Sequence, residues 1–176
     1  MELEYENIRI RNAAVTDASL LAQWWNDGSI MAHAGFPNGV GTTPEKVAGQ
    51  IRKETDTTLR RYMILLNDER IGELVHRQIN PRVCEIGIKL CRSDLQNRGY
   101  GKKILSLFIS GLFDCLGYEQ IQLDTDLENT RAQHVYECLG FQKLSVNRDS
   151  WVDQLGRSRS SVDYGLTRES FISNID

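Results

Sequence analysis

The chain has 176 residues, of which 40% are hydrophobic and 26% are charged, and its formal net charge at pH 7 is -3. This length suits one domain with a sizeable core, and the composition is that of a soluble globular protein. Because the chain is weakly acidic, there is no electrostatic reason to expect nucleic acid or a membrane surface as its main partner, and we expect neither.

The first third of the chain predicts one strand and two helices. Residues 8–10 alternate between apolar and polar side chains, as in a half-buried strand. Thr16 can cap a helix that ends at Gly28, and Thr43, followed by proline at the first helical position, can cap a second helix. Residues 31–41 form a predicted loop with apolar content, which is typical of a binding surface.

The middle of the chain predicts three strands and a long helix. The strands cover residues 62–66, 71–76 and 83–91, and the short turns between them favour antiparallel pairing. A segment with two glycines follows. After it, apolar residues at helical spacing continue to Gly117, where the predicted helix stops.

The last third predicts three more strands and one helix. A strand over residues 121–125 precedes a helix that is capped by Asn129 and stops at Gly140. Two strands over residues 141–146 and 160–166 follow. The whole order predicts an α/β fold, in which a mixed, mostly antiparallel sheet of about seven strands is flanked by about four helices.

The four cysteines point to a reducing compartment. Cys84, Cys91, Cys115 and Cys138 match neither the spacing of a zinc site nor a CxxC redox motif, and each lies in an apolar run. We therefore expect buried free thiols and a cytoplasmic location. Since the histidines have no metal-binding spacing to one another or to a cysteine, we expect no metal site. We expect no signal peptide, and no apolar run approaches the ~20 residues that span a bilayer.

Segment 96–102, with the sequence Gln-Asn-Arg-Gly-Tyr-Gly-Lys, lies between a predicted strand and a predicted helix. Two glycines one residue apart allow a tight turn, and a helix that starts there presents unpaired N–H groups and the positive end of its dipole. These features predict an anion site, for which phosphate is the expected ligand.

Spacing excludes two common phosphate-binding motifs. A P-loop needs four residues between its glycines before Gly-Lys-Ser/Thr, whereas Gly99 and Gly101 are one residue apart and Lys102 is followed by another lysine. A dinucleotide fingerprint needs a third glycine where Ile104 stands. The pattern that remains is Gln-x-x-Gly-x-Gly between a strand and a helix.

This pattern resembles the Arg/Gln-x-x-Gly-x-Gly/Ala signature at the start of the central helix in the acyl-CoA-dependent N-acetyltransferase superfamily called GNAT. Residues 129–141 are similar to the second motif of that family, Asn-x-x-Ala-x-x-x-Tyr-x-x-x-Gly-Phe. The motif lies at the family's distance downstream, and the order of elements fits over nearly the whole chain. The resemblance implies a single GNAT-like α/β domain over residues 1–176 that uses acetyl-CoA as cosubstrate.

The resemblance also implies how acetyl-CoA is bound. In the family, the turn before the central helix holds the pyrophosphate of the cofactor. The residues expected to do so here are Gln96, Asn97, Arg98, Gly99, Tyr100, Gly101 and Lys102. The strand over residues 83–91 is expected to carry a bulge, beside which the main chain of Leu90 and Cys91 bonds to the pantetheine arm. Asn129 and Arg131 are expected to reach the pantetheine or the nucleotide end.

Tyr136 and Glu85 are the candidate catalytic residues. Tyr136 lies at helical spacing from other apolar residues, which is typical of core packing. The resemblance implies instead that its phenol, with a pKa of ~10, protonates the departing thiolate. Glu85 begins the strand beside the cofactor, and by the same resemblance it takes a proton from the substrate ammonium, directly or through water. Its alternative role is that of a solvated or ion-paired carboxylate.

His33 and Phe36, in the predicted loop 31–41, are the candidates for binding the acceptor, because the resemblance implies an acceptor site there. The alternative for His33 is a loop residue exposed to water. Asp124 and Asp126 face outward from a predicted strand, where they either attract a cationic amine or are simply solvated.

The functional prediction is transfer of an acetyl group from acetyl-CoA to a primary amine, in a small molecule or at a protein N-terminus, by direct attack in a ternary complex. A covalent route through Cys91 is disfavoured because this cysteine lies in an apolar run. The alternatives are a non-catalytic acyl-CoA-binding sensor and a phosphate-ligand binding protein outside the family. A homodimer is also compatible with the resemblance, since dimers are common in this superfamily.

Overall fold

The central feature of the fold is one mixed β-sheet. The computed structural model describes residues 1–95 and 98–175. Within them the strands are β1 (Glu2–Tyr5), β2 (Ile8–Asn12), β3 (Leu59–Leu66), β4 (Glu69–Asn80), β5 (Val83–Leu90), β6 (Gln120–Asp126), β7 (Gln142–Val152) and β8 (Ser158–Thr167). They are hydrogen-bonded in the order β1-β2-β3-β4-β5-β6-β8-β7, and β5 and β6 are the parallel pair. The predicted mixed, mostly antiparallel sheet is confirmed, with β1 as an additional edge strand.

Helices cover both faces of this sheet. Those in the described residues are α1 (Ala18–Asn26), α2 (Gly28–Met31), α3 (Pro44–Ile51), α4 (Tyr100–Asp114) and α5 (Thr130–Cys138). Residues of α1 and α3 form the core on one face, and residues of α4 and α5 contribute to the core on the other. The four predicted helices are present. The additional α2 is a single turn, capped by the side chain of Asp27, which accepts a hydrogen bond from the N–H of Ser29 at 2.8 Å. None of these helices is long and apolar enough to cross a membrane.

β3 is buried on both of its faces. Tyr62 and Ile64 belong to the core beside α4, whereas Met63 and Leu65 belong to the core beside α1 and α3. All four residues are at most 4% exposed. A strand that is covered on both faces needs apolar side chains at every position, which explains the unbroken apolar run at residues 62–66.

The edge strand β1 has little apolar signal in the sequence. It pairs with β2, and its residue Leu3 packs against the core beside α4. A Cβ atom on Gly111 of α4 would stand 2.5 Å from Cδ1 of Leu3, so glycine at this position lets the strand approach the helix. Because the strand is short and half-exposed, and because its contact is with a residue distant along the chain, the sequence carries too short a hydrophobic pattern to predict it.

β5 and β6 pair over only three residues each. Residues 83–85 of β5 lie beside residues 120–122 of β6, after which the two strands separate. β5 continues along β4 as far as Leu90, and β6 continues along β8 as far as Asp126. The sheet is therefore split in its middle, and beyond the short pairing the facing edges of β5 and β6 do not bond to each other.

The bulge expected within residues 83–91 is not found, so that prediction was wrong. β5 pairs with β4 in unbroken register from Cys84 to Leu90, and the register shift between these strands falls at Ile79 of β4. The sheet opens instead because β5 and β6 follow different neighbours beyond Glu85.

A buried histidine in the core is held in its neutral form. His76 is 0% exposed, its Nδ1 lies 3.0 Å from the hydroxyl of Tyr62, and its Nε2 lies 3.0 Å from the carbonyl oxygen of Asp56. Because a carbonyl can only accept, Nε2 carries the proton and Nδ1 accepts from Tyr62. Burial is the largest influence on the imidazole, and it lowers the pKa of His76 below its ordinary value.

Protonation of His76 should destabilise the folded state. Because its folded-state pKa is lowered, the unfolded chain binds the proton first as the pH falls below about 6.5, and stability is lost between the two pKa values. We expect the free energy of unfolding, measured with urea, to decrease below about pH 6.5, and this decrease to shrink in His76→Gln. His33→Gln, at an exposed site, is the control and should keep the original slope. An unchanged slope in His76→Gln would contradict the account.

Candidate active site

The split between β5 and β6 opens into a cleft. The cleft has a volume of about 1240 Å³, and its lining includes residues of both strands, of segment 27–34 and of the β7–β8 hairpin. A groove of about 460 Å³ extends from it to the first turn of α4 and along α5. The cleft and the groove adjoin each other, since both are lined by Ile88, Leu90, Asn129, Arg131 and Tyr136.

The groove ends at the first turn of α4, which has the features of an anion-binding helix start. Gly99 is the N-cap, with φ of 82° and no side-chain cap. The first N–H groups of a helix have no acceptor within the helix, and they carry the positive end of its dipole. Lys102 and Arg131 also line the groove, so this end of it is electropositive.

The two glycines of this turn leave space that no atom of the described residues fills. A Cβ atom on Gly99 or on Gly101 would meet nothing within 4 Å. Gly99 needs to be glycine because of its positive φ, whereas Gly101 has no such backbone requirement. The missing side chain at Gly101 therefore keeps open the groove that this residue lines.

Not every residue of segment 96–102, which was expected to bind pyrophosphate, is among those that line the groove. Gln96 and Asn97 lie outside the described residues. Arg98 is exposed and Tyr100 is half-buried, and neither lines the groove. Among the described residues of the segment, the groove is thus formed by the two glycines and Lys102.

The edge of β5 that faces the split presents backbone groups to the cleft. Successive residues of a strand point their N–H and C=O groups to opposite edges. The N–H of Cys91 donates to the carbonyl of Ile71 at 2.8 Å, on the β4 side. By this alternation, the backbone groups of Leu90 and Ile88 point to the opposite edge, which faces the cleft. Of the two residues expected to contact the pantetheine arm, Leu90 is so placed, whereas the N–H of Cys91 is already used within the protein.

Asn129 both caps α5 and lines the groove. Its side-chain oxygen accepts a hydrogen bond from the N–H of Ala132 at 3.3 Å, and its Nδ2 donates to Oγ1 of Thr125 at 3.4 Å. These contacts hold the start of α5 against β6. Arg131, in the first turn of α5, also lines both the groove and the cleft.

Tyr136 lies where the cleft meets the groove. It is 7% exposed, and its ring packs against Phe141 and Tyr164 with centroids 5.8 and 5.9 Å away. Burial, with a contribution from the negative charge of Asp124, raises the pKa of Tyr136 to about 12. The phenol is therefore protonated at neutral pH, and it is a potential proton donor inside the cleft.

The carboxylates near the cleft differ in their partners. Glu85 forms an ion pair with Arg77 at 2.6 Å and is not among the residues that line the cleft. Asp126 lines the cleft but is buried and bound to Arg159 at 2.7 Å. Asp124 also lines the cleft, and its charge acts on Tyr136. The structure thus brings Asp124 close to Tyr136 and leaves Glu85 outside the lining.

The side of the cleft away from the groove combines a loop and an aromatic side chain. His33 is exposed and lines the cleft, whereas Phe36, which is 40% exposed, does not. Trp151 lines the cleft and packs over Gly35, where a Cβ atom would stand 2.5 Å from Cζ3 of the indole. Gln154 fastens the β7–β8 hairpin to the same loop by donating its N–H to the carbonyl of Gly35 at 2.8 Å. The sequence gives no sign of Trp151 as a site residue, because its contact is with a distant loop.

All four cysteines are free thiols. Cys115 is exposed, so the prediction of burial was wrong for this residue, which follows α4 as its C-cap and faces solvent. Burial, with a contribution from the charge of Glu73, raises the pKa of Cys91 to about 12, so its thiol is a poor nucleophile at neutral pH. Within the described part of the chain, no group of three or more His, Cys, Asp and Glu residues is arranged to hold a metal ion.

Comparison with known proteins identifies relatives over most of the chain. A family model described as an acetyltransferase (GNAT) domain matches residues 7–142. An uncharacterized N-acetyltransferase, p20, from Bacillus licheniformis is 26% identical over 158 residues, which cover 85% of this chain and 87% of that protein.

Two solved structures with coenzyme A bound have a similar fold. Spermidine N-acetyltransferase from Vibrio cholerae, in complex with CoA and spermine, matches with a TM-score of 0.81 and 20% identity, over 93% of this chain and 97% of that one. A ribosomal L7/L12 alpha-N-protein acetyltransferase in complex with coenzyme A matches with a TM-score of 0.84 and 14% identity, over 97% of this chain and 99% of that one. At these identities the likeness establishes the fold.

The four thiols should differ in how fast they react. Cys115 is exposed, whereas burial raises the pKa of Cys84 and Cys91 to about 12. We expect the fast phase of the reaction of the native protein with Ellman's reagent at neutral pH to disappear in Cys115→Ser and to persist in Cys91→Ser. A fast phase that disappears in Cys91→Ser instead would contradict this and restore the covalent route.

Proposed function

Because the chain belongs to the GNAT acetyltransferase family, we propose that it transfers an acetyl group from acetyl-CoA to a primary amine. The acceptor is the amine of a small molecule or the N-terminus of a protein, and it attacks the thioester directly in a ternary complex. The observation that carries the proposal is the position of Tyr136, a neutral phenol at the junction of the groove and the cleft.

The groove fits acyl-CoA by its chemistry. The first turn of α4 presents N–H groups and Lys102 to a pyrophosphate, and Gly101 leaves room for its close approach. The backbone groups of Ile88 and Leu90 are placed to bond to the amides of a pantetheine arm, as an added strand would. When bound, acetyl-CoA supplies the acetyl group as an activated thioester.

Tyr136 protonates the sulfur as the C–S bond breaks. A thiol of pKa ~8.5 is a stronger acid than this phenol, so donation to a fully formed thiolate would be unfavourable. The attack of the amine on the thioester leaves an acidic proton on the nitrogen. The transfer from Tyr136 to the sulfur becomes favourable when this nitrogen gives its proton to the Tyr136 oxygen in the same step. The raised pKa thus keeps Tyr136 neutral between turnovers without trapping a phenolate.

The acceptor enters from the side of His33 and Trp151. His33 lines this side, and Phe36 stays a candidate for acceptor contact through the same loop. Glu85, the base expected from the resemblance, is engaged by Arg77, which favours another carboxylate as the proton acceptor. The four free thiols suit a reducing compartment, and we propose a cytoplasmic location on that ground.

A screen of amine acceptors tests the proposed activity. The purified chain is incubated with acetyl-CoA and a panel of polyamines, aminoglycosides, amino acids and N-terminal peptides, and both released CoA and acetylated product are measured. We expect the two to appear in equal amounts with at least one acceptor class. Tight acetyl-CoA binding without turnover on any amine would favour the sensor, and no binding of CoA would overturn both readings.

Gly101→Ala should separate cofactor binding from stability. The new methyl group meets no atom of the described residues, so we expect the fold to be kept. The group enters the groove, however, and should weaken CoA binding about tenfold, as measured by calorimetry. Gly49→Ala, on α3 and also without neighbours within 4 Å, is the matched control. Both changes should stabilise their helices by about 0.5–1 kcal/mol. Equal CoA affinity in the two variants would contradict the groove assignment.

Tyr136→Phe should remove the proton donor and little else. The ring keeps its packing against Phe141 and Tyr164, so we expect CoA affinity to stay within about twofold while kcat falls by about 10²-fold. Tyr5→Phe, on the edge strand β1, is the control for loss of a hydroxyl elsewhere. Full activity of Tyr136→Phe on a confirmed acceptor would exclude Tyr136 as the acid.

A further inference from the structure

We propose that the carboxylate of Asp124 accepts the proton that the attacking amine must lose, an inference that rests on the proposed acetyl transfer. Asp124 lies on β6, on the far side of the split from the edge of β5. Three features support its role: its position, the existing partners of the other carboxylates around the cleft, and the charges that face it.

Asp124 shares the cleft with the proposed acid. It lines the cleft beside the split, and its side chain is open to the cleft space. Its negative charge is close enough to Tyr136 to raise the pKa of that phenol. Leu123, the preceding residue, points into the core beside α4, so Asp124 points to the other face of the sheet. The proposed proton donor and the proposed proton acceptor therefore line the same cleft from different elements.

The other carboxylates that line the cleft already have structural partners. Asp126 is bound to Arg159 at 2.7 Å, and Glu128 is bound to the same guanidinium at 3.0 Å. Asp27 accepts from the N–H of Ser29 at 2.8 Å and caps α2. Among the described residues, no lysine, arginine or histidine lies within salt-bridge distance of Asp124, which leaves its oxygens available to a substrate ammonium.

The charges around Asp124 increase its basicity. Asp163 stands directly opposite on β8, and Glu85 approaches from β5. Partial desolvation by the surrounding cleft walls is the largest influence that raises the pKa of Asp124, followed by the charges of Glu85 and Asp163, while Arg77 opposes this more weakly. A carboxylate of raised pKa takes up a proton more readily than an ordinary one.

The pairing of Asp124 with Asp163 has a structural cost. Like charges directly opposite each other in an antiparallel pair are destabilising. Asp163 is satisfied by neutral donors, since its Oδ2 accepts from Oγ of Ser145 at 2.6 Å and from Nδ2 of Asn147 at 2.8 Å. Within the described residues, no lysine, arginine or histidine forms an ion pair with either carboxylate. An unfavourable charge arrangement at the mouth of a cleft indicates a functional demand on it.

The proton balance of the reaction assigns Asp124 one of two transfers. The ammonium first loses a proton to Asp124, and the free amine then forms the N–C bond with the acyl carbon. When the C–S bond breaks, Tyr136 gives its proton to the sulfur and recovers one from the nitrogen. The products are the amide and the free thiol, and Asp124 releases its proton to water, which accounts for the net proton of the reaction.

Glu85 and Asp163 act in this scheme as positioning residues. Glu85 is held by Arg77 at 2.6 Å, and Asp163 is held by its neutral donors, so neither approaches the amine. Their role is to keep the affinity of Asp124 for a proton high. In this scheme a glutamate at the start of β5 acts on the site without lining the cleft.

The test is a pH profile of kcat/KM for a confirmed acceptor. In Asp124→Asn we expect a loss of about 10²-fold or more near neutral pH, with CoA affinity unchanged, and a partial recovery at high pH or with an amine of low pKa. In Asp163→Asn we expect the acidic limb to move to lower pH, because a like charge next to the base is gone. Glu119→Gln, an exposed position just before β6, is the control and should match the unmodified chain.

The outcomes separate this inference from the proposed function. If the unmodified chain acetylates no amine, the proposed function fails before Asp124 is tested. If it turns over and Asp124→Asn keeps its activity, or loses it equally at all pH values and with all amines, the inference is overturned. If Asp124→Asn does not fold, the test is the pH profile of kcat/KM in Asp163→Asn. An acidic limb at the same pH as in the unmodified chain overturns the inference. Loss of activity in His33→Gln with full activity in Asp124→Asn would assign the proton to His33 instead.

Discussion

The early separation of β5 and β6 is the constraint on which the rest of the structure depends. Each strand keeps a full antiparallel partner on its outer edge, so the sheet stays intact while its two inner edges part. Backbone N–H and C=O groups in the middle of a sheet need partners, and beyond residues 83–85 those on the inner edge of β5 face the cleft instead of a strand. A sheet that paired completely would have neither the cleft nor an edge to which an extended ligand could add.

Positive and negative charges lie on opposite sides of the split. The groove side has the first turn of α4, Lys102 and Arg131, whereas the other side has Asp124 with its acidic neighbours. In the proposed reaction, an anionic cosubstrate and a cationic amine therefore approach Tyr136 from opposite sides. The phenol is held between them by aromatic packing, so its position depends on the core and not on a mobile loop.

Much of this site could be predicted from local sequence, because its parts are encoded by short-range chemistry. Local patterns identify the glycines at the start of α4, the Asn129 cap of α5 and Tyr136 at helical spacing on α5. The structure places all of them along one groove. The contact between Trp151 and Gly35, the charge pair of Asp124 with Asp163 and the partner of Glu85 depend on strand register. Register joins residues that are distant along the chain, so no local period identifies these contacts.

The most direct test of the account is residue-resolved amide exchange by NMR, with and without CoA. We expect CoA to slow the exchange of the Ile88 and Leu90 N–H groups and of the N–H groups in the first turn of α4. The N–H of Cys91, already bonded to Ile71, should change little. Saturation with CoA that leaves Ile88 and Leu90 unchanged, or that protects a different surface, would contradict the claim that the split edge of β5 is the binding site.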